Sequence, residues 1–188
     1  CQNNQLSKLD VSKNKSLEQL YCGNNQLSKL DVRQNMALDI LFCENNQLSQ
    51  LDMSENSELT DLNCSKNRLT TLDLRKNTEL TRLECGNNQL TVLNIGTTAG
   101  LEALHCRNNR LTSLDLSSFD VALDDMDEFD AIGNKYDILL NADNAFDLNS
   151  LPGNFEITRA SNWTNGTVKE NTLTVTNPKE QITYDYDT

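Results

Sequence analysis

The residues of this chain most able to do chemistry are its six cysteines, at positions 1, 22, 43, 64, 85 and 106. Thiols bridge to one another, hold zinc or act as nucleophiles, and each use demands its own spacing. An even count suits a disulfide framework in a secreted protein, but framework cysteines do not recur at one strict interval. Here every step is 21 residues. Zinc needs ligands gathered in C-x-x-C or paired-histidine arrays, and the sequence has no C-x-x-C and one histidine, His105. No nucleophile elbow, phosphate loop or metal motif accompanies that histidine. Paired carboxylates are plentiful, but the repeat chemistry of the six coils explains them without an acid–base role. The expectation is a non-enzyme with no catalytic residues, no cofactor and no metal of its own.

One acidic stretch invites a calcium reading. Residues 120–130, DVALDDMDEFD, hold six acids in eleven residues. Calcium requires several oxygens converging on one point, and Asp130 sits where the loop motif D-x-[DN]-x-[DN]-G requires glycine. A solvated acidic segment is the favoured reading, with calcium as the sharper alternative.

The elements that must position these groups come from the same period. With the cysteines recur Leu6, Leu27, Leu48, Leu69, Leu90 and Leu111, and then Leu9, Leu30, Leu51, Leu72, Leu93 and Leu114. Asn4, Asn25, Asn46, Asn67, Asn88 and Asn109 keep the same step. A unit of this length is one turn of a solenoid, which buries its apolar edge against its neighbours. Each unit is two similar halves, Leu17-x-x-Leu20-x-Cys22-x-x-Asn25 and Leu27-x-x-Leu30-x-Val32-x-x-Asn35. Alternation around Leu20 and Cys22 predicts a short strand with both side chains inward, and Leu30 with Val32 a second extended arc opposite it. No segment inside a repeat keeps helical spacing over three turns.

The cysteines then fall in the slot whose partner in the other half-coil is Val11, Val32, Met53, Leu74, Ile95 or Leu116. They read as a stacked ladder of small buried thiols. In-register strands lie about 4.8 Å apart, slightly too far for a relaxed disulfide between stacked Cβ atoms. The asparagines read as two buried ladders, Asn25 with its equivalents and Asn14, Asn35, Asn56 and Asn77, each amide donating to and accepting from neighbouring coils. The stacked carboxylates Asp10, Asp31, Asp52, Asp73 and Asp115 need compensation, from local backbone hydrogen bonds and from Lys8, Lys29, Arg33 and Arg75. A ladder of bound cations is the alternative there.

The pattern L-x-x-L-x-[C/L]-x-x-N-x-L-x-x-L-D-[V/L] resembles the bacterial leucine-rich repeat proteins with a 21-residue unit, close in style to internalin-type repeats, over about residues 1–140. The departures are late: Asn94 replaces the repeated Asp, and Thr98 the second Asn. The resemblance carries over no catalytic residue. It implies a leucine-rich repeat horseshoe, a right-handed superhelix of short parallel strands, on a secreted or cell-surface bacterial protein whose concave face binds a ligand. The expected class is thus a β-rich solenoid with a small C-terminal β cap.

After Leu116 the period slips by four residues. Met126, Phe129, Ala131, Asn134, Tyr136 and Leu139 then match the Leu, Leu, Cys, Asn, Leu and Leu slots of a degenerate seventh coil. Residues 1–140 are therefore read as six coils plus this seventh. Residues 141–188 are read as a β cap or the start of a following β domain, with strands at 155–158, 172–176 and 182–186 around turns at Asn165-Gly166 and Asn177-Pro178. Trp163, the single tryptophan, reads as core of that tail. The chain opens in mid-repeat, which suggests a fragment of a longer polypeptide.

Positions flanking the inward strand residues point to the concave surface. One column is Gln19, Ile40, Asp61, Arg82 and Ala103; the next is Tyr21, Phe42, Asn63, Glu84 and His105. A third is Gly23, Glu44, Ser65, Gly86 and Arg107. These positions vary while the core positions do not. Tyr21, Ile40 and Phe42 form an expected exposed apolar–aromatic cluster, the kind that anchors partners. The alternative is that the two rings cover an open coil face. Beside them Asp61, Arg82, Glu84 and Arg107 alternate in charge, suited to discrimination among partners.

Composition narrows the partner. The net charge is −12, with 12 Lys and Arg against 14 Asp and Glu in residues 1–116 but 4 against 14 in residues 117–188. Such a chain gains nothing from counterion release, which argues against nucleic acid and anionic membrane surfaces. No apolar run approaches membrane-spanning length and no signal peptide is seen. The expected function is recognition of a protein or glycan, host molecules among the candidates, by a monomer. A structural spacer without its own ligand is the alternative.

Overall fold

The computed structural model describes residues 1–97, 100–112, 128–131, 134, 140–151 and 157–186. Its main element is a six-stranded parallel sheet of three-residue strands. In order these are β1 (Gln19–Tyr21), β2 (Ile40–Phe42), β3 (Asp61–Asn63), β5 (Arg82–Glu84), β7 (Ala103–His105) and β8 (Glu128–Asp130). Register follows the repeat: Leu20, Leu41, Leu62, Leu83, Leu104 and Phe129 stand in line. From Leu104 to Phe129 the step is 25 residues rather than 21, which is the slip of four read after Leu116.

The middle residue of each of the first five of these strands is buried and, Ala103 apart, the outer two are not, as the two-residue alternation of a pleated strand dictates. One core runs along the stack. It is built of the leucine columns, the Val11/Val32/Met53/Leu74/Ile95 column and the thiols of Cys22, Cys43, Cys64, Cys85 and Cys106, each 0% exposed. Each fully buried leucine contributes about 1.5–3 kcal/mol, so coils that bury nothing alone are stable together.

The opposite arcs pair more sparsely than expected. Only β4 (Thr71–Asp73) and β6 (Val92–Asn94) form a ladder there among the described residues. Tight turns close these arcs instead, with Asn14, Asn35, Asn56 and Asn77 N–H groups donating to the carbonyls of Val11, Val32, Met53 and Leu74. No α-helix occurs among the described residues.

The asparagine ladders differ from each other. Asn46 Nδ2 donates to Cys22 O in the preceding coil at 3.1 Å and to Cys43 O in its own at 3.1 Å, and its Oδ1 accepts from Leu27 N at 2.9 Å. Asn25, Asn67, Asn88 and Asn109 repeat this donor-and-acceptor pattern. The second ladder only donates. Asn56 Nδ2 reaches Val32 O and Asn35 O, while Oδ1 of Asn35, Asn56 and Asn77 is buried without a partner. The turn has already used the nearby N–H groups, so nothing is left to donate to these oxygens.

A third column went unread in the sequence. Asn3, Asn24, Asn45, Lys66, Asn87 and Asn108 all take left-handed backbone, with φ between 52° and 56°. Asparagine tolerates that region far better than most residues, which explains the first Asn of each Asn-Asn pair. The amides link coils too, Asn45 Nδ2 to Asn24 Oδ1 at 2.8 Å and Asn108 Nδ2 to Asn87 Oδ1 at 3.1 Å.

The aspartate column is held locally. Oδ1 of Asp10, Asp31, Asp52 and Asp73 accepts the N–H two residues on, at 3.0–3.1 Å. Arg33 and Arg75 add guanidinium contacts to Asp31 and Asp73 at 2.7 and 2.6 Å. Asp115 lies outside the described residues, as do Thr98, Met126, Tyr136, Leu139 and residues 120–127 of the acidic stretch.

Beyond the parallel sheet, Ala131 packs on the core. Asn134 donates to Cys106 O at 3.3 Å and accepts from Leu111 N at 3.1 Å, in the manner of the earlier asparagines. The tail forms two antiparallel sheets. One orders β11 (Gly166–Lys169), β12 (Thr172–Val175) and β9 (Ala145–Asp147); the other pairs β10 (Ala160–Thr164) with β13 (Thr183–Tyr186). Leu148, Leu173 and Val175 make its core, with Phe146 and Trp163 against them. The strand read at 155–158 is corrected: 157–159 is a 3-10 turn, and 155–156 lie outside the described residues. Tyr184 ties this tail to the coils, its hydroxyl donating to Thr112 O at 2.5 Å, while its ring stacks on Trp163 with centroids 4.5 Å apart.

Candidate functional site

Parallel pairing decides which outward residues become neighbours, since each stands beside its equivalent one coil on. Gln19, Ile40, Asp61, Arg82 and Ala103 form one column, and Tyr21, Phe42, Asn63, Glu84 and His105 the next. Gln19 is exposed, Ala103 is buried, and the other members of these two columns are half-buried, while Arg107 of the third column is exposed. Ala103 therefore offers no contact surface.

Tyr21 and Phe42 meet edge to face, centroids 5.2 Å apart and planes at 81°, the arrangement aromatic quadrupoles favour. With Ile40 beside Phe42 on β2, the predicted cluster is contiguous but half-buried rather than exposed. The Tyr21 hydroxyl donates to Gln19 Oε1 at 3.3 Å.

The charges are less independent than the sequence suggested. Arg82 donates to Glu84 Oε1 through Nε at 3.1 Å and Nη2 at 2.9 Å. Asn63 Nδ2 donates to Glu84 Oε2 at 2.9 Å, and Asn63 Oδ1 accepts from Ser65 N and Oγ at 3.1 and 2.7 Å. Arg82 and Glu84 thus neutralise each other inside one network. Asp61 differs: its Oδ1 is buried with no hydrogen-bond partner. Burial pushes its carboxyl above the ordinary range, with Glu84 and Asp39 adding to that and Arg82 opposing it.

Two features of this face escaped the sequence. The column one residue earlier carries Glu18, Asp39, Thr60, Thr81 and Glu102. There Thr60 Oγ1 donates to Asp39 Oδ1 and Thr81 Oγ1 to Thr60 O at 3.1 Å. The 21-residue step alone would have found it. Glycines of the third column are filled by the next coil. The Glu44 carboxylate lies where a Gly23 side chain would stand, an added Cβ falling 1.9 Å from Oε1, and Arg107 lies over Gly86. Glu44 Oε1 accepts one long bond from Asn24 Nδ2 at 3.3 Å, and Oε2 is buried without a partner.

Among the described residues no three or more of His, Cys, Asp and Glu gather as metal ligands, and no helix is long and apolar enough to cross a membrane. The face offers shape, aromatic surface and fixed charge.

No protein-family model and no curated protein matches the chain. Among solved structures it is similar to the functional domain of InlJ from Listeria monocytogenes, which includes a cysteine ladder, at 34% identity with a TM-score of 0.56. The match covers 72% of this chain and 34% of that one, so the chain spans about a third of the length of the structure it matches.

Proposed function

The chain is an internalin-like leucine-rich repeat domain with a cysteine ladder, and from that premise we propose that it is a non-catalytic binding module of a secreted or cell-surface bacterial protein. Residues 1–140 act as the recognition solenoid and 141–188 as its cap. It works as a monomer and recognises a protein or glycan through the outward face of the six-stranded sheet.

One observation carries this reading. Leucine, cysteine and asparagine recur through the inward columns, one of which varies only among apolar residues, while the Gln19 and Tyr21 columns change residue at every coil and gather Tyr21, Ile40 and Phe42 into one patch. A frame kept constant around a varied surface is what recognition uses, and aromatic anchors carry a disproportionate share of binding energy. The neighbouring Arg82–Glu84–Asn63 network holds its side chains in place before contact, which lowers the ordering cost of association.

The test is binding of the purified chain to an array of extracellular proteins and glycans, with Tyr21→Ala/Phe42→Ala as control. A hit lost in the double variant, whose thermal unfolding matches the parent, supports the reading. A blank array overturns it in favour of a spacer.

A further inference from the structure

The outward face is polarised along the stack. In segments 18–23, 39–44 and 60–65, which surround the aromatic pair, stand Glu18, Asp39, Glu44 and Asp61 and no lysine or arginine. The next basic residue on the face, Arg82, is already bound to Glu84. Glu44 Oε2 and Asp61 Oδ1 are each buried without a hydrogen-bond partner. Desolvated carboxylate oxygens of that kind are costly until a donor reaches them. One long bond retains Glu44 along the bare Cα of Gly23, so turning its carboxylate toward an arriving cation forfeits a single weak hydrogen bond.

We infer that this end of the sheet takes a basic segment of a protein partner, its lysine or arginine side chains packing their stems on Tyr21 and Phe42 and setting their charges against Glu44 on one side of the pair and Asp39 and Asp61 on the other. The inference rests on the sheet face being the binding face. Long cationic side chains suit such a site because the apolar stem and charged head are satisfied at once. An anionic glycan is repelled by the four carboxylates, and an apolar partner strips them of water without replacing it. Complementary charge also raises the encounter rate, and salt screens that gain.

The test uses the intact chain and three blocked peptides of alternating glycine with lysine, acetyl-lysine or glutamate, followed by calorimetry and by amide shifts of the 18–65 region. Only the lysine peptide is expected to bind. Its affinity should fall at least about tenfold in Glu44→Gln/Asp61→Asn and in Tyr21→Ala/Phe42→Ala, and on raising salt from about 0.05 to about 0.5 M. The charge-matched control Asp31→Asn/Asp52→Asn, on the opposite arc, should bind as the parent does. Equal losses in that control mean attraction to net charge alone and overturn the inference, as does failure of the lysine peptide to bind. An array partner that needs Tyr21 and Phe42 but ignores Glu44→Gln/Asp61→Asn and salt also overturns it, while leaving the binding-face reading intact.

Discussion

Asn67 shows how much one side chain holds. Its Nδ2 donates to Cys43 O at 3.0 Å and Cys64 O at 3.1 Å, and its Oδ1 takes Leu48 N at 2.9 Å. Asn67→Ala leaves buried backbone groups of two coils unsatisfied, so urea unfolding should register a loss of about 3 kcal/mol or more. The neighbouring position runs the other way. Lys66 occupies the left-handed column otherwise held by asparagine. Lys66→Asn is expected to stabilise by about 0.5–1 kcal/mol, and Lys66→Ala is not. The two ladders and the aspartate column were readable from the period alone. The donor-only character of Asn35, Asn56 and Asn77 was not, because it depends on which N–H groups the tight turn has already used.

Elements act here through columns. Burial pushes the Cys22 thiol from 9.0 up to about 11 and holds Cys43, Cys64 and Cys85 well above 9.0. The folded state thus keeps protons that the unfolded chain releases. Stability is intact below pH 9 and drains as pH rises from there through the folded values. Denaturant titrations from neutral to alkaline pH should show that decline, and Cys64→Ala should flatten it while removing about 1–3 kcal/mol of packing at neutral pH. The same burial makes the ladder unreactive. Ellman's reagent should find exposed Cys1 quickly and the five buried thiols only after denaturation. Coil spacing has its own tight point at Gly96, with φ +55° and an added Cβ only 2.7 Å from Arg75 Cα. Gly96→Ala should cost on the order of 2 kcal/mol or more in a urea melt. Column membership was legible because parallel register preserves sequence period. The bonds of Glu84 to Arg82 and Asn63, and the cradling of Glu44 by Gly23, were not, since rotamer and reach choose among several neighbours.

At the scale of the molecule, contacts in a solenoid are nearest-neighbour, so disturbance at one end need not reach the other. Tyr184→Phe removes the hydroxyl bond from the C-terminal sheets to Thr112 O. Amide exchange is expected to quicken around Leu111 and Thr112 and to stay unchanged in residues 20–64. Trp163 lies in the C-terminal sheets, stacked on Tyr184, so tryptophan fluorescence reports their opening while circular dichroism follows the coils. The C-terminal tail was the least legible part. Strands are legible at 172–176 and 182–186 but not before Ala160, where β10 begins, because the 21-residue repeat does not extend into the tail. The strict unit has one more consequence. An in-frame duplication of one unit, inserted at any coil boundary, extends the leucine, thiol and asparagine columns without altering a single inward contact type. Heredity can therefore lengthen this molecule almost freely, and each added unit brings outward residues that selection can set independently of folding.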